Sequence, residues 1–282
     1  MSRVQILIQF GYDGGRFHGV QPQPKLPTAG GALRARLVSA FKQRPRALQF
    51  TSRTDGGVHA IVNLATVWFP GPLDTTAALA ELAEERDDGL LRVCGAVVSM
   101  SVHARGISQG KHYRYVVRTG LSAEALVALN AELSWHARQP ERLGEAPPLD
   151  HPDRDCWHIH PTLDCAAMQR AVAHLVGTQD FAALRSRRCT AVETIRDLHS
   201  ILITTDGDRV VFDLHGGGFL RQMIRILVGT LIEVGTGLRT SESIPELLRS
   251  RDREAAGFTA PSRGLTLVAV LTDGVDKLLT EG

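Results

Sequence analysis

The sequence predicts an α+β protein made of two pseudo-repeated halves, each a small antiparallel sheet with helices on one face. Three observations carry that expectation. Short runs with strand-like alternation are interleaved with runs whose apolar residues recur at helical spacing. The rhythm of strands flanking a helix occurs in an early block and again in a late one. Between them, residues 119–155 hold Pro140, Pro147, Pro148 and Pro152 among mixed charges and follow no clear period. The expected division is therefore 1–106 and 107–282, with an irregular excursion at 119–155 that is partly helical at 122–133. A length of 282 residues with 43% hydrophobic content suffices for one large core or two modest ones.

Element by element, residues 4–10 read as a strand ended by the turn Tyr12-Asp13-Gly14-Gly15. Residues 29–42 read as a helix with Leu33, Leu37, Ala40 and Phe41 on one stripe. Gln49–Thr51 is a strand, with Val62–Phe69 as its antiparallel return. A helix over 75–86 and strands near 91–103 and 111–118 follow. In the later block Asp164 caps a helix running to about Leu175, with Gly177 just beyond. Strands near 195–204 and 209–215 flank the hairpin signal Asp206-Gly207. Leu220–Val234 reads as a helix with Leu220, Ile224, Leu227, Leu231 and Val234 as its apolar stripe. Ser243 and Glu246 match a capping box for a short helix through Leu248. A last strand runs over 265–270.

Net charge is only +2, so the chain as a whole is not a polycation. The basic residues are unusual in kind, however, because only Lys25, Lys42, Lys111 and Lys277 among 32 are lysine. Arginine suits bidentate phosphate contact and stacking on bases, and a GC-rich genome also favours it. Cys94, Cys156, Cys165 and Cys189 form no Cys-x-x-Cys pair, and no histidine cluster completes a zinc set. They read as reduced thiols of a cytoplasmic protein. The N-terminal run lacks the apolar core and cleavage site of a signal peptide, and no stretch reaches the length of a membrane span. The glycine-rich loops match neither a P-loop nor a dinucleotide fingerprint, which argues against a nucleotide cofactor.

The most informative stretch is Arg53-Thr54-Asp55-Gly56-Gly57-Val58-His59-Ala60. It sets one carboxylate on a glycine-bearing turn, with a guanidinium two residues ahead that can hold it charged and aimed. A nucleophile or base needs that arrangement, and a plain Asp-Gly turn shares it. In Lys111-His112-Tyr113-Arg114-Tyr115, the two tyrosines share one face of a strand and Arg114 takes the other. A tyrosine face can stack on a nucleobase or belong to the core with its hydroxyl at the rim. Arg221 and Arg225 are four apart at the start of the expected late helix, after Gly216-Gly217-Gly218. That spacing puts both on one helix face, and the triple glycine suggests close backbone approach to a ligand. Arg185, Arg187 and Arg188 form a basic loop that fits either an RNA-facing patch or a solvated surface.

Taken together, these segments resemble the TruA-type tRNA pseudouridine synthases over nearly the whole chain. Tyr12-Asp13-Gly14 with Phe17, Gly19 and Gln21-Pro22-Gln23 is similar to that family's opening signature, and the Asp55 octet to its catalytic loop. His103-Ala104-Arg105 with Tyr113-Arg114-Tyr115, then Asp180-Phe181, the Phe219–Arg225 run, and Ala260-Pro261 with Gly264-Leu265 and Leu267 resemble the later blocks. The resemblance implies two halves whose sheets join, leaving a basic central cleft. It implies isomerisation of uridine to pseudouridine in the tRNA anticodon stem-loop, around positions 38 to 40. It also implies no cofactor or metal, and a homodimer with each tRNA lying across both subunits.

By position, Asp55 would be the catalytic aspartate, attacking either the uracil ring or the ribose C1′. Tyr113 would stack on the base and assist the final deprotonation, and Arg221 would pair with Asp55. Arg53 would fill the space left by the extruded base, with Arg105, Arg114 and Arg225 as further RNA contacts. Ser52 stands where the family has glycine and Gly56 where alanine is usual, which predicts a looser loop. Two other readings stay open. One is a non-catalytic RNA-binding homologue, or a synthase with another RNA target. The other is a hydrolase pairing Asp55 with His59.

Overall fold

The computed structural model describes residues 3–84, 90–99, 106–120, 122, 124, 155–160 and 162–273. The expected helix at 122–133 and nearly all of the 119–155 excursion lie outside these residues, as does the block His103–Arg105. The chain divides into two compact units, Met1–Lys111 with Thr266–Gly282, and His112–Leu265. The last strand thus groups with the first unit and not with the segment just before it.

In the first unit, β1 (Arg3–Tyr12) is flanked by two antiparallel neighbours, β3 (His59–Pro70) and β4 (Leu91–Val98). The other edge of β3 is divided. β2 (Ala47–Phe50) pairs antiparallel along Ala65–Trp68, and β10 (Leu265–Thr272) pairs in parallel at His59 and Ala60. The chain between β2 and β3, which carries Asp55, leaves the sheet in the gap between those two neighbours.

Helix α1 (Ala29–Phe41) starts where Thr28 Oγ1 accepts the Gly31 N–H at 3.1 Å, satisfying one otherwise orphaned donor. Its stripe of Leu33, Leu37, Ala40 and Phe41 is buried as expected, with Phe41 4.7 Å from the Phe69 ring. Arg36 on the same helix is buried. Its guanidinium donates to the carbonyls of Leu91, Leu82 and Glu84, tying α1 to β4 and to the end of α2 (Thr75–Ala83).

The second unit orders its strands β5 (Ser108–Arg118), β9 (Arg209–Gly216), β8 (Ile195–Asp206) and β7 (Gly177–Asp180), with the two-residue β6 (Trp157–His158) parallel to β5. The β8–β9 hairpin turns at Gly207, whose φ of 59° is the left-handed value the Asp-Gly signal requires. Helix α3 (Cys165–Val172) is capped by Asp164 Oδ1, which accepts the Ala167 N–H at 2.8 Å. It ends before Leu175 because the chain tightens into i→i+3 bonds from His174 to Ala171 and from Leu175 to Val172. Helix α4 (Met223–Gly235) is buried almost all round, the pattern of a central core helix.

The α+β expectation holds, and among the described pairings β3–β10 and β5–β6 are parallel while β1–β3, β1–β4, β2–β3, β7–β8 and β8–β9 are antiparallel. Two local expectations do not hold. Helix α4 begins at Met223 and not at Leu220, because Gln222 adopts φ 60°, a left-handed conformation that a helix cannot include. The capping box before α5 (Ile244–Ser250) is not made. Ser243 already has helical φ and ψ, and its hydroxyl donates back to the Thr240 carbonyl at 2.7 Å.

Candidate active site

The Asp55 loop is built from the inside out. Ser52 and Thr54 are buried, Arg53 is exposed and Asp55 is half-buried, so the chain alternates inward and outward as it leaves β2. Asn63 on β3, fully buried, holds Ser52 at both backbone atoms. Its Oδ1 accepts the Ser52 N–H at 3.2 Å, and its Nδ2 donates to the Ser52 carbonyl at 3.0 Å. Tyr12 Oη lies 2.6 Å from Thr54 Oγ1. Past Asp55, the Val58 N–H donates to the Asp55 carbonyl at 3.2 Å, closing a turn whose third residue, Gly57, has φ 80°. That is the left-handed value a type II turn needs.

The opening segment wraps this loop. A Cβ on Gly14 would lie 2.1 Å from the Val58 carbonyl oxygen, and one on Gly19, at φ 93°, would lie 2.8 Å from that of Thr54. Main chain therefore packs on main chain at both ends of the Asp55 turn, which only glycine permits. The Val20 and Gly57 N–H groups close the arrangement by donating to Thr54 and Phe17 carbonyls at 3.3 and 3.2 Å. Gly56 is not in a left-handed conformation, and a Cβ there would sit an ordinary 3.4 Å from His18 Cα. The looseness expected from a second glycine thus meets a loop fixed by its neighbours. His59 is buried with Nδ1 3.2 Å from both the Gly14 N–H and Asp13 Oδ1. Its ring braces the Gly14 turn.

In the second unit, Tyr113 and Tyr115 point to one side of β5, both buried. Tyr115 is fully enclosed, with its hydroxyl donating to the Pro261 carbonyl at 2.7 Å, and burial pushes that hydroxyl well above the ordinary phenol range. Of the two, Tyr115 is core. Tyr113 meets Phe219 edge-on at 5.4 Å, which fixes its ring beside the glycine turn.

Arg114, on the other face, grips Asp213 with Nε at 3.0 Å and Nη2 at 3.2 Å. His112 Nε2 reaches the same carboxylate at 2.6 Å and stacks on His215 with ring centres 4.1 Å apart. Burial opposes the charge on Asp213, but the hydrogen bonds from Arg114 and His112 outweigh it and hold this carboxyl below its usual range. His215 is lowered by burial first and by His112 second.

Arg221 lies in the turn ahead of α4 and not on the helix, so it does not share a helix face with Arg225. Its side chain is exposed and donates to the Arg188 carbonyl at 3.5 Å, while its own carbonyl accepts the Ser186 N–H at 2.9 Å. Arg225 is half-buried and exchanges bonds with Ala260, its Nε donating to the Ala260 carbonyl at 2.7 Å and its own carbonyl accepting the Ala260 N–H at 3.0 Å. Only Gly216 of the triple glycine is packed against protein, since a Cβ on Gly217 or Gly218 would meet nothing closer than 4.0 Å. Within the basic loop, Arg185 caps the Ala191 carbonyl and Arg187 pairs with Glu254. Arg105 lies outside the described residues.

Sequence reasoning missed Asn63, although the signal was present. A lone amide in the apolar strand run Val62–Phe69 has to find partners when buried. Among the described residues, no group of three or more His, Cys, Asp or Glu is placed to hold a metal ion. No helix there is long and apolar enough to cross a membrane.

An α+β chain that presents one carboxylate from a braced, glycine-built turn, and that exposes Arg53 and Arg221 on loops, has the parts of a nucleic-acid-modifying enzyme. The family model described as tRNA pseudouridine synthase matches residues 171–273. A tRNA pseudouridine synthase A of Geotalea uraniireducens is 34% identical over 271 residues, covering 96% of this chain and 99% of the relative. Proteins of the same name from Halalkalibacterium halodurans and Myxococcus xanthus are each 33% identical, covering 94% and 96% of this chain and 90% and 92% of their own lengths. Among solved structures, an archaeal box H/ACA sRNP Nop10–Cbf5 complex matches 82% of this chain and 44% of that chain, at 11% identity and a TM-score of 0.33. The chain belongs to the tRNA pseudouridine synthase family, by its full-length likeness to those relatives.

Proposed function

We propose that this chain converts uridine to pseudouridine in the anticodon stem-loop of tRNA, around positions 38 to 40, with no cofactor. The observation that carries the reading is the Asp55 loop. The family's Arg-Thr-Asp block is retained at 53–55, on a turn braced through Ser52, Thr54 and Val58. Net, the N1–C1′ bond breaks and C5–C1′ forms, while the proton leaves C5 and N1 gains one. An attacking carboxylate opens that path at either the ring or C1′. Preorganisation of the attacking group is what a fixed loop contributes.

Arg221 pairs with Asp55, the carboxylate accepting from the guanidinium, and its exposed side chain is compatible with that role. Tyr113 stacks on the base with its ring set by Phe219, and assists loss of the C5 proton. Arg53, projecting outward from the loop, fills the stack vacated by the flipped uridine. Arg105, Arg114 and Arg225 contact RNA, Arg114 and Arg225 from their bonds to Asp213 and Ala260. The protein works as a cytoplasmic homodimer. The test is site-resolved pseudouridine mapping of tRNA incubated with purified protein and with Asp55→Asn. The wild type is expected to modify the anticodon arm. The variant is expected to lose at least about 10³-fold in rate while binding tRNA within a few-fold. Near-normal turnover by the variant overturns the role of Asp55, and an unmodified anticodon arm overturns the target.

A further inference from the structure

We infer that Asn63 is a positioning residue for the Asp55 carboxylate, a role that rests on the reading of Asp55 given above. The argument starts from strand register. β2 and β3 pair Ala47 with Trp68, Leu48 with Val67, Gln49 with Thr66 and Phe50 with Ala65. The ladder continues one step further, where the Thr51 N–H donates to the Leu64 carbonyl at 2.9 Å. The next residues opposite one another are Ser52 and Asn63. There the ladder changes hands. The Asn63 side chain, and not its backbone, takes both the N–H and the carbonyl of Ser52, at 3.2 and 3.0 Å.

A primary amide carries the same donor and acceptor as a peptide unit. It can therefore replace a missing rung while holding the departing chain a side chain's length from β3. The same Oδ1 accepts the Leu64 N–H at 2.9 Å, and Nδ2 stands 3.5 Å from Tyr12 Oη, at the limit of a hydrogen bond. Tyr12 in turn touches Thr54 Oγ1 at 2.6 Å. Ser52 and Thr54 are thus held through one buried pair of side chains, on either side of exposed Arg53 and immediately ahead of Asp55. The direction in which the chain peels off the sheet, and so the aim of Asp55, follows from that amide. A displacement of about 1 Å in a reacting group costs up to about 100-fold in rate.

The chemistry of the clamp gives it a signature. Asn63→Asp keeps shape but sets a carboxylate oxygen against the Ser52 carbonyl, and only the protonated acid restores the donor. Single-turnover rates on tRNA, tRNA affinity and thermal melting are measured for wild type, Asn63→Asp, Asn63→Ala and the milder Tyr12→Phe. The expected result for folded Asn63→Asp is a rate at least about tenfold down with tRNA affinity within about twofold of wild type. That deficit should shrink as pH is lowered from about 7 towards about 4, the range over which an aspartate gains its proton. Tyr12→Phe should slow turnover less and without pH dependence.

A folded Asn63→Asp that turns over within twofold of wild type overturns the inference, as does a deficit that pH leaves unchanged. If wild type itself makes no pseudouridine, the reading of Asp55 fails and the clamp is judged by amide exchange. Faster exchange of the Ser52 and Leu64 N–H groups in a folded Asn63→Ala supports it, and unchanged exchange overturns it.

Discussion

Two glycine-bearing turns carry Asp55 and Arg221, two of the residues proposed for the reaction, and they are built in opposite ways. The turn at 51–58 is fixed from both sides, by Asn63 and Tyr12 beneath it and by the main chain of Gly14 and Gly19 around it. The turn at 216–222 is fixed at its ends. Gly217 N–H donates to the Asp197 carbonyl at 3.0 Å and Ser186 N–H to that of Arg221, while Gly217 and Gly218 stand in open space. Among the described residues, the Arg221 guanidinium is anchored by a 3.5 Å bond to the Arg188 carbonyl. The difference fits the division of labour. A group that forms a covalent bond has to be aimed before substrate arrives. The arginine proposed to pair with that carboxylate can adjust to it.

The comparison can be broken most directly at Arg221. Arg221→Ala is expected to slow pseudouridine formation by about 10²-fold with the melting temperature unchanged, since the side chain is exposed. A fall in melting temperature with unchanged turnover would make this turn the structural one. Next, Gly57→Ala forces an alanine to φ 80°, costing about 1–2 kcal/mol and moving the carboxylate. Thermal melting and turnover should fall together. Gly217→Ala, in open space, should be silent in melting and affect only tRNA affinity.

Acid should affect the second unit through its own charge cluster. The folded Asp213 carboxyl titrates below the usual aspartate range, so the stability it contributes is present above that range and lost as pH falls through the folded one. His215 is depressed from 6.5, so protons bind the unfolded chain more readily as pH drops below that point. Both shifts act in one direction. Melting should therefore decline from about pH 6.5 downward and again below the ordinary carboxylate range, with Asp213→Asn shrinking the second step, to which the similarly lowered Asp180 carboxyl also contributes. The smallest expected effect is Gly56→Ala. That position has ordinary φ and room for a methyl group, so the variant should gain about 0.4–1 kcal/mol and keep its activity. Lost activity there would mean that the loop needs more freedom than its bonds suggest.

Much of this was legible in the sequence because it depends on local pattern. The α1 stripe, the Thr75 helix, the Asp164 cap and the Asp206-Gly207 hairpin all follow from residues within a few positions of one another. What was not legible depends on partners distant in the chain. Helix α4 looked three residues longer because Leu220 fits the apolar stripe, and nothing local announces the left-handed Gln222. The Ser243–Glu246 box matches in spelling, but Ser243 is already helical when it arrives. Asn63 was visible as an oddity in a strand, yet its meaning required the register that sets it opposite Ser52. Tyr113 and Tyr115 looked equivalent by alternation, and were separated only by Pro261 taking one hydroxyl.

The parallel contact of Thr266 and Leu267 with His59 and Ala60 has a consequence for biosynthesis. His59 begins the strand immediately after the Asp55 turn, and the neighbour that covers its edge lies more than two hundred residues further along the chain. A nascent chain can form the antiparallel pairs of its first unit early, yet that edge stays open until more than two hundred further residues have emerged. A chain cut short before Leu265 would therefore lack the strand that covers the β3 edge beside the Asp55 turn.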